Sequence, residues 1–183
     1  MATITVPTRD QVDTKAQGIF DQLKSKLGMV PNLYATIGYS SNALENFLNF
    51  SGKVGEGSFN NKEKEAINLA VSEVNQCQYC LSAHTAISKM NGLTEEDTLA
   101  LRSGQHSDAR LNAVAALAKD IAVNRGHASA EPLENFYAQG YENADLIELV
   151  SVVTAITFTN YTHGVTQVSV DFPQAQKLQP EFA

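Results

Sequence analysis

The chain has 183 residues, and 43% of them are hydrophobic, enough for one domain or two closely packed halves. Its 13 basic and 20 acidic residues give a net charge of −7, which argues against binding to nucleic acid or an anionic membrane surface. No stretch reaches the roughly 20 apolar residues of a membrane helix, and the N-terminal residues lack the pattern of a signal peptide. We therefore expect a cytoplasmic protein.

Apolar residues recur with the 3.6-residue period of a helix along most of the chain. Several of these segments begin at a capping residue or end at Gly or Asn. No segment alternates apolar and polar residues between hairpin turns, as a half-buried strand does. We predict an all-α fold of about seven or eight helices, in chain order Thr14 to Leu27, Asn42 to Phe50, Asn61 to Val74, Gln78 to Met90, Thr94 to Leu101, Asp108 to Val123, Ala130 to Ala138 and Asn143 to about Val168.

A weak internal echo relates residues 65–84 to residues 148–167. Both segments begin at Glu, are apolar, and become polar near the twelfth position. Asn160 and His163 stand in the second segment where the first has its two cysteines. If the echo reflects a duplication, the second copy is a scaffold without thiols. We expect one domain over residues 1–183, with a duplication into halves 1–107 and 108–183 left open.

Two cysteines and a histidine form the cluster with the strongest chemical signal. Cys77, Cys80 and His84 lie at positions i, i+3 and i+7, on one face of a helix. Because the pair stands at a predicted helix start, the free amides and the helix dipole stabilise a thiolate. His84, one turn beyond Cys80, can accept its proton. The close spacing lets the second thiol attack a sulfenic acid on the first, which predicts a redox-active dithiol.

Glu65 can assist His84 only if the chain reverses between them. One continuous helix would separate the two residues by roughly 28 Å, at about 1.5 Å per residue. We therefore predict a break at Asn75-Gln76 that folds the two helices against each other. A carboxylate beside an imidazole orients it and raises its basicity. The alternative is that Glu65, at the end of the run Lys62-Glu63-Lys64-Glu65, is solvated helix surface.

A zinc site is the structural alternative for the cysteine cluster. Cys77, Cys80 and His84 could supply three ligands, but a structural zinc site needs a fourth, and the sequence has no second CxxC or HxxxH. We therefore favour the redox interpretation and expect no metal and no cofactor. Tyr79 is interpreted as a packing aromatic, and His163 as a core or interface residue.

The spaced set Glu65, Cys77-x-x-Cys80 and His84 resembles the core of the alkyl hydroperoxidase D family, within the carboxymuconolactone decarboxylase superfamily. Further segments resemble the peroxidase-related branch of that family, so the resemblance covers most of the chain. These segments are Lys26 to Leu33, Asn60 to Glu65, Asn75 to Cys80, Gly140 through Glu148, and Val170 to Pro173.

The resemblance implies an all-helical fold, assembly into dimers, trimers or hexamers, and peroxidase activity without haem or metal. It implies that Cys80 is peroxidatic, that Cys77 resolves, and that His84 and Glu65 form the proton relay. The best-studied members carry a histidine immediately before the second cysteine, where this chain has Tyr79. Since a phenol with a pKa near 10 is a poor base, participation of Tyr79 in proton transfer stays open.

The leading functional expectation is a thiol peroxidase that reduces hydrogen peroxide or organic hydroperoxides and is recycled by a thiol or protein reductant. Two alternatives stay open: a general disulfide oxidoreductase, and a redox-sensing oligomer whose disulfide changes assembly. Lactone decarboxylation, an activity of other superfamily members, does not need a CxxC, so the paired cysteines count against it.

Overall fold

The structure is a computed structural model that describes residues 4–178. These residues form nine α-helices, eight of them at least seven residues long, and no strand, which confirms the all-α prediction. A short 3₁₀ turn, Arg9–Gln11, precedes the first helix. The helices are α1 (Thr14–Leu27), α2 (Asn32–Ile37), α3 (Ser41–Val54), α4 (Asn61–Val74), α5 (Gln78–Met90), α6 (Glu95–Ser103), α7 (Ala109–Val123), α8 (Ala130–Ala138) and α9 (Asn143–Thr166).

The short helix α2 was not predicted from the sequence, because its six residues are too few to display a helical period. The other eight helices match the predicted segments within a few residues. Among the residues that the structure describes, no helix is both long and apolar enough to cross a bilayer.

Helix α4 lies at the centre of the fold and packs against α5, α6, α7 and α9. Its apolar residues Ile67, Leu69 and Val71 are fully buried although they point in different directions around the helix. Each such side chain contributes about 1.5–3 kcal/mol on burial. The Asn60 side chain accepts from the backbone N–H of Glu63, and the Glu63 carboxylate accepts from the backbone N–H of Asn60, which defines where α4 begins.

The chain reverses between α4 and α5, as predicted. The reversal is short: Asn75 caps α4, Gln76 adopts a φ of 52°, and Cys77 caps α5. The backbone N–H of Cys77 donates to the carbonyl oxygen of Ser72, which closes the turn. The first residues of α5 therefore lie beside the end of α4, and the two helices run antiparallel.

Residues 167–178, here called the C-terminal strap, follow α9 without regular secondary structure and cross α5. The backbone N–H of Ala175 donates to the Ser82 hydroxyl, at 3.1 Å. The buried Arg102 side chain of α6 bonds both to the Gln176 carbonyl oxygen and to the Glu73 carboxylate, each at 2.7 Å. The strap therefore covers the start of the helix that carries both cysteines.

Helix α9 runs unbroken through the second segment of the internal echo, whereas the first segment is divided between α4 and α5. The two segments consequently differ in shape. The duplication into halves stays a prediction.

Candidate active site

The two cysteines lie at the start of α5, where the helix has unpaired backbone N–H groups. Cys77 is the N-cap residue, and its sulfur accepts a 3.3 Å hydrogen bond from the backbone N–H of Cys80. Both thiols are free and buried, and their sulfur atoms are 2.7 Å apart. Since a disulfide needs about 2.05 Å between sulfurs, a small movement joins them.

Cys77 is the more acidic of the two thiols. A hydrogen bond from Cys80 is the largest influence that lowers the pKa of Cys77, to about 5; burial opposes it, and His163 adds to the lowering. The same interaction with Cys77, together with burial, raises the pKa of Cys80. At neutral pH the pair therefore holds one negative charge, centred on Cys77 and stabilised by the Cys80 S–H.

His84 and Glu65 are brought together by the reversal between α4 and α5. The Nδ1 atom of His84 lies 2.7 Å from Oε2 of Glu65, and the Glu65 side chain is only 9% exposed. Burial lowers the pKa of His84, but the Glu65 carboxylate outweighs it, so the net pKa is raised. Because Nδ1 donates to the carboxylate, Nε2 remains for other chemistry. Glu65 is therefore not solvated surface, despite the charged run in which it lies.

A cavity of about 350 Å³ opens beside α5. Its polar contributors are Cys80, His84, Tyr79 and Thr159, and Cys77 is not among its lining residues. The rest of the wall is mostly apolar and comes from α1, α2, α5 and the segments after α1 and α9: Leu27, Met29, Pro31, Leu33, Tyr34, Ala83, Ile87, Met90 and Phe172. Of the two sulfurs, that of Cys80 is therefore the one that a molecule in this cavity meets.

The Tyr79 hydroxyl is committed to holding the C-terminal strap. It donates to Oδ1 of Asp171 at 2.6 Å and accepts from the backbone N–H of Leu33 at 3.2 Å. Burial and the Asp171 carboxylate raise the pKa of Tyr79. Its ring packs edge-on against Phe172, with centroids 5.6 Å apart. Tyr79 thus joins α2, α5 and the strap, as a packing residue with a fully used hydroxyl.

Three residues of α9 also face the thiols, and none was selected as a site residue from the sequence. The Cys80 sulfur lies 3.7 Å from the Thr159 hydroxyl. Hydrogen bonds from Thr159 and Asn160 oppose the rise of the Cys80 pKa. His163, assigned from the sequence to the core or an interface, is buried, and it contributes to lowering the pKa of Cys77.

A signal for these residues was present in the sequence. The internal echo aligned Asn160 and His163 with the two cysteines, and polar side chains interrupt an apolar helix there. In the residues that the structure describes, no group of three or more His, Cys, Asp or Glu side chains could hold a metal ion. The geometry therefore does not support the zinc alternative for Cys77, Cys80 and His84.

Comparison with known proteins identifies related folds. A chain described as a debrominase, Bmp8, solved as a cysteine-to-alanine variant with 2,3,4-tribromopyrrole, superposes with a TM-score of 0.78 at 19% identity, covering 93% of this chain and 92% of that one. An uncharacterized peroxidase-related protein with an alkylhydroperoxidase AhpD core, from Ralstonia eutropha JMP134, gives a TM-score of 0.79 at 18% identity, covering 99% and 94%.

A second uncharacterized peroxidase-related protein, from Silicibacter sp. TM1040, gives a TM-score of 0.77 at 22% identity, covering 99% of this chain and 93% of that one. No curated protein matches the sequence significantly. Residues 42–120, which contain α4, α5 and both cysteines, match the carboxymuconolactone decarboxylase family. Residues 42–120 are therefore similar to the carboxymuconolactone decarboxylase family, and the described residues have the AhpD-like helical fold.

Proposed function

We propose that this protein is a cofactor-independent thiol peroxidase that reduces hydroperoxides through Cys80 and Cys77. One observation carries the proposal: the Cys80 sulfur lies 2.7 Å from the Cys77 sulfur, and Cys80 lines a cavity together with His84, which is paired with Glu65. A thiolate, a proton donor and a resolving thiol are the groups that such a reaction needs.

The first step begins when the negative charge moves from Cys77 to Cys80, with the shared proton passing to Cys77. The Cys80 sulfur then attacks the outer oxygen of the hydroperoxide. As the O–O bond breaks, the alkoxide takes a proton from the imidazolium of His84 and leaves as an alcohol. Cys80 becomes a sulfenic acid. Glu65 stabilises the imidazolium before the transfer, in keeping with the raised pKa of His84.

In the second step the Cys77 sulfur attacks Cys80, the S–O bond breaks, and water leaves. The resulting disulfide holds the two oxidising equivalents. A thiol or dithiol, from a small molecule or a protein, then reduces it. The apolar wall of the cavity favours organic hydroperoxides over hydrogen peroxide, because a hydrocarbon group gains about 0.8 kcal/mol for each methylene that it buries there.

The decisive experiment is stopped-flow oxidation of the reduced protein by hydrogen peroxide, tert-butyl hydroperoxide and cumene hydroperoxide, with thiols counted by mass spectrometry. We expect the loss of two thiols per chain and formation of a Cys77–Cys80 disulfide. Oxidation that proceeds faster with a protein disulfide than with any peroxide would favour a general disulfide oxidoreductase. Slow turnover with a large change in mass on oxidation would favour a redox-sensing oligomer.

A second candidate, reductive dehalogenation, is favoured by the likeness to the Bmp8 debrominase over 93% of this chain and by the aromatic cavity wall beside Cys80. In that reaction the two thiolates supply two electrons, His84 supplies a proton to carbon, and bromide leaves as the disulfide forms. Release of bromide from 2,3,4-tribromopyrrole by the reduced protein, with no oxidation by peroxides, would select this function.

A further inference from the structure

The Thr159 hydroxyl is a polar group at the reactive sulfur for which the proposed reaction assigns no role. It forms a 3.7 Å hydrogen bond with the Cys80 sulfur, and both side chains are buried. Thr159 also lines the cavity beside Cys80, and a second cavity of about 360 Å³ that Glu65 lines. The hydroxyl therefore stands beside the sulfur, on the wall that a substrate would contact.

The position of this hydroxyl is fixed through its neighbour in α9, Asn160. The Asn160 amide donates to the Ser72 hydroxyl at 3.1 Å and accepts from the Asn75 side chain at 2.9 Å, which fastens this turn of α9 to the end of α4. The reversal after α4 also places the cysteines at the start of α5. The same contacts therefore determine how far Thr159 lies from Cys80.

The proton of the Thr159 hydroxyl has two acceptors within reach. It is donated to the carbonyl oxygen of Ile156, 2.8 Å away in the same helix. That oxygen lies inside α9, where the backbone N–H four residues later also bonds to it, so it does not become unpaired when the hydroxyl turns away. Rotation about the Cβ–Oγ1 bond then directs the hydroxyl proton to the Cys80 sulfur, without movement of any heavy atom.

We infer that Thr159 is a catalytic hydrogen-bond donor, which turns its hydroxyl proton from Ile156 to Cys80 as the Cys80 thiolate forms. The inference rests on the proposed dithiol function and concerns the step before attack on the substrate. In that step the Cys80 S–H bond breaks, a Cys77 S–H bond forms, and no proton leaves the pair. The O–H bond of Thr159 stays intact, because the hydroxyl only changes its direction.

The Cys80 thiolate needs such a donor more than the Cys77 thiolate does. The Cys77 sulfur already accepts from the backbone N–H of Cys80, at 3.3 Å. The neighbouring Cys77 and burial raise the pKa of Cys80, and the hydrogen bond from Thr159 opposes that rise. A hydrogen bond to the charged form of a group stabilises that form. His84, paired with Glu65, is reserved for the leaving oxygen in the proposed reaction.

The test compares Thr159→Val, which removes the hydroxyl and keeps the branched shape, with Thr159→Ser, which keeps the hydroxyl. Thr154→Val is the matched control, because this exposed threonine of α9 donates to the carbonyl oxygen of Val150 at 2.8 Å. In a Cys77→Ser background, the pH dependence of alkylation by iodoacetamide reports the pKa of Cys80 without peroxide. Thr159→Val should raise this pKa by about one unit, since a hydrogen bond to a charged group contributes at least that much.

Stopped-flow oxidation of the chain with both cysteines gives the second readout. Thr159→Val should slow the first oxidation step by about tenfold, whereas Thr159→Ser and Thr154→Val should stay within about threefold of the parent. A parental pKa of Cys80 in Thr159→Val, or an equal rise in Thr159→Ser, would overturn the inference. The expected rise in pKa without any turnover of peroxide would instead reject only the peroxidase proposal.

Discussion

The Tyr79 hydroxyl donates a 2.6 Å hydrogen bond to Oδ1 of Asp171, 92 residues further along the chain. The other oxygen of Asp171 accepts from the backbone N–H of Asn32, at 2.8 Å. One carboxylate therefore fastens the C-terminal strap both to the helix that carries the cysteines and to the start of α2. Phe172, the next residue, forms part of the cavity wall.

This relationship predicts the effect of Tyr79→Phe. The substitution removes the charge-assisted hydrogen bond to Asp171 and the one accepted from the backbone N–H of Leu33, and we expect a loss of about 1.5–3 kcal/mol in the free energy of unfolding. The pH dependence of the first oxidation step should keep its shape, because the hydroxyl is already occupied by Asp171. Urea denaturation and stopped-flow oxidation measure the two effects. If the plot of the first oxidation rate against pH lost an ionisation in Tyr79→Phe, Tyr79 would instead be assigned to proton transfer.

Single cysteine substitutions separate the two thiols. With Cys80 as the peroxidatic residue, Cys77→Ser should still consume about one equivalent of peroxide and leave a sulfenic acid that dimedone traps. Cys80→Ser should be inert, because its remaining thiol lies behind the cavity wall. Mass spectrometry identifies the modified residue. The test is strict because acidity alone would make Cys77 the nucleophile. If Cys77→Ser were inert and Cys80→Ser formed the sulfenic acid, the two roles would be exchanged.

Glu65→Gln tests the relay. Removing the carboxylate charge should lower the pKa of His84 and slow the first oxidation step by about tenfold or more. NMR titration and stopped-flow kinetics measure the two quantities, with Glu134→Gln at an exposed position of α8 as the control. Because folding raises the pKa of His84, its protonated ring stabilises the fold at pH values below its ordinary pKa of 6.5. That stabilisation is lost as the pH rises through the pKa of His84 in the folded protein. The variant should therefore be destabilised more at pH 6 than at pH 9.

The acidity of Cys77 predicts how the stability of the reduced protein changes with pH. Its pKa is about 5 in the fold, against an ordinary value of 9.0, so folding releases a proton between these limits. The stabilisation is complete above pH 9 and disappears as the pH falls through 5. Urea denaturation of the reduced chain should show stability rising with pH across this window relative to Cys77→Ser. If the stability of the parent and of Cys77→Ser changed with pH in parallel, the thiolate would not lie on Cys77.

The predicted homo-oligomer can be tested on α9. Its exposed side includes Ile147 at 66% and Tyr161 at 63% exposure, and no acidic or basic residue lies between Glu148 and His163. Phe158, on the same helix, is partly exposed and stacks on Phe47. We expect light scattering at micromolar concentration to give a dimer or larger assembly, and Ile147→Asp to weaken it. A monomeric parent would refute the prediction.

The sequence alone was sufficient to predict the all-α fold, the reversal before Cys77, and the pairing of Glu65 with His84. Helical periodicity and capping are local properties, and they determine where each helix begins and ends. Helix geometry allowed the Glu65 contact, since only a reversal brings the two residues within reach, and the family resemblance implied the role of Glu65 in the relay. Sequence reasoning also identified the cysteine pair, because its spacing is itself the chemical signal.

Only the tertiary structure revealed the C-terminal strap, the contacts of His163 and the greater acidity of Cys77. The strap has no regular period, so nothing in its sequence indicates which helix it crosses. His163 influences the pKa of Cys77, 86 residues earlier in the chain, through the packing of α9 against α4 and α5. The acidity of a thiol depends on burial and on hydrogen bonds at a few ångströms, and those distances exist only after the helices have packed.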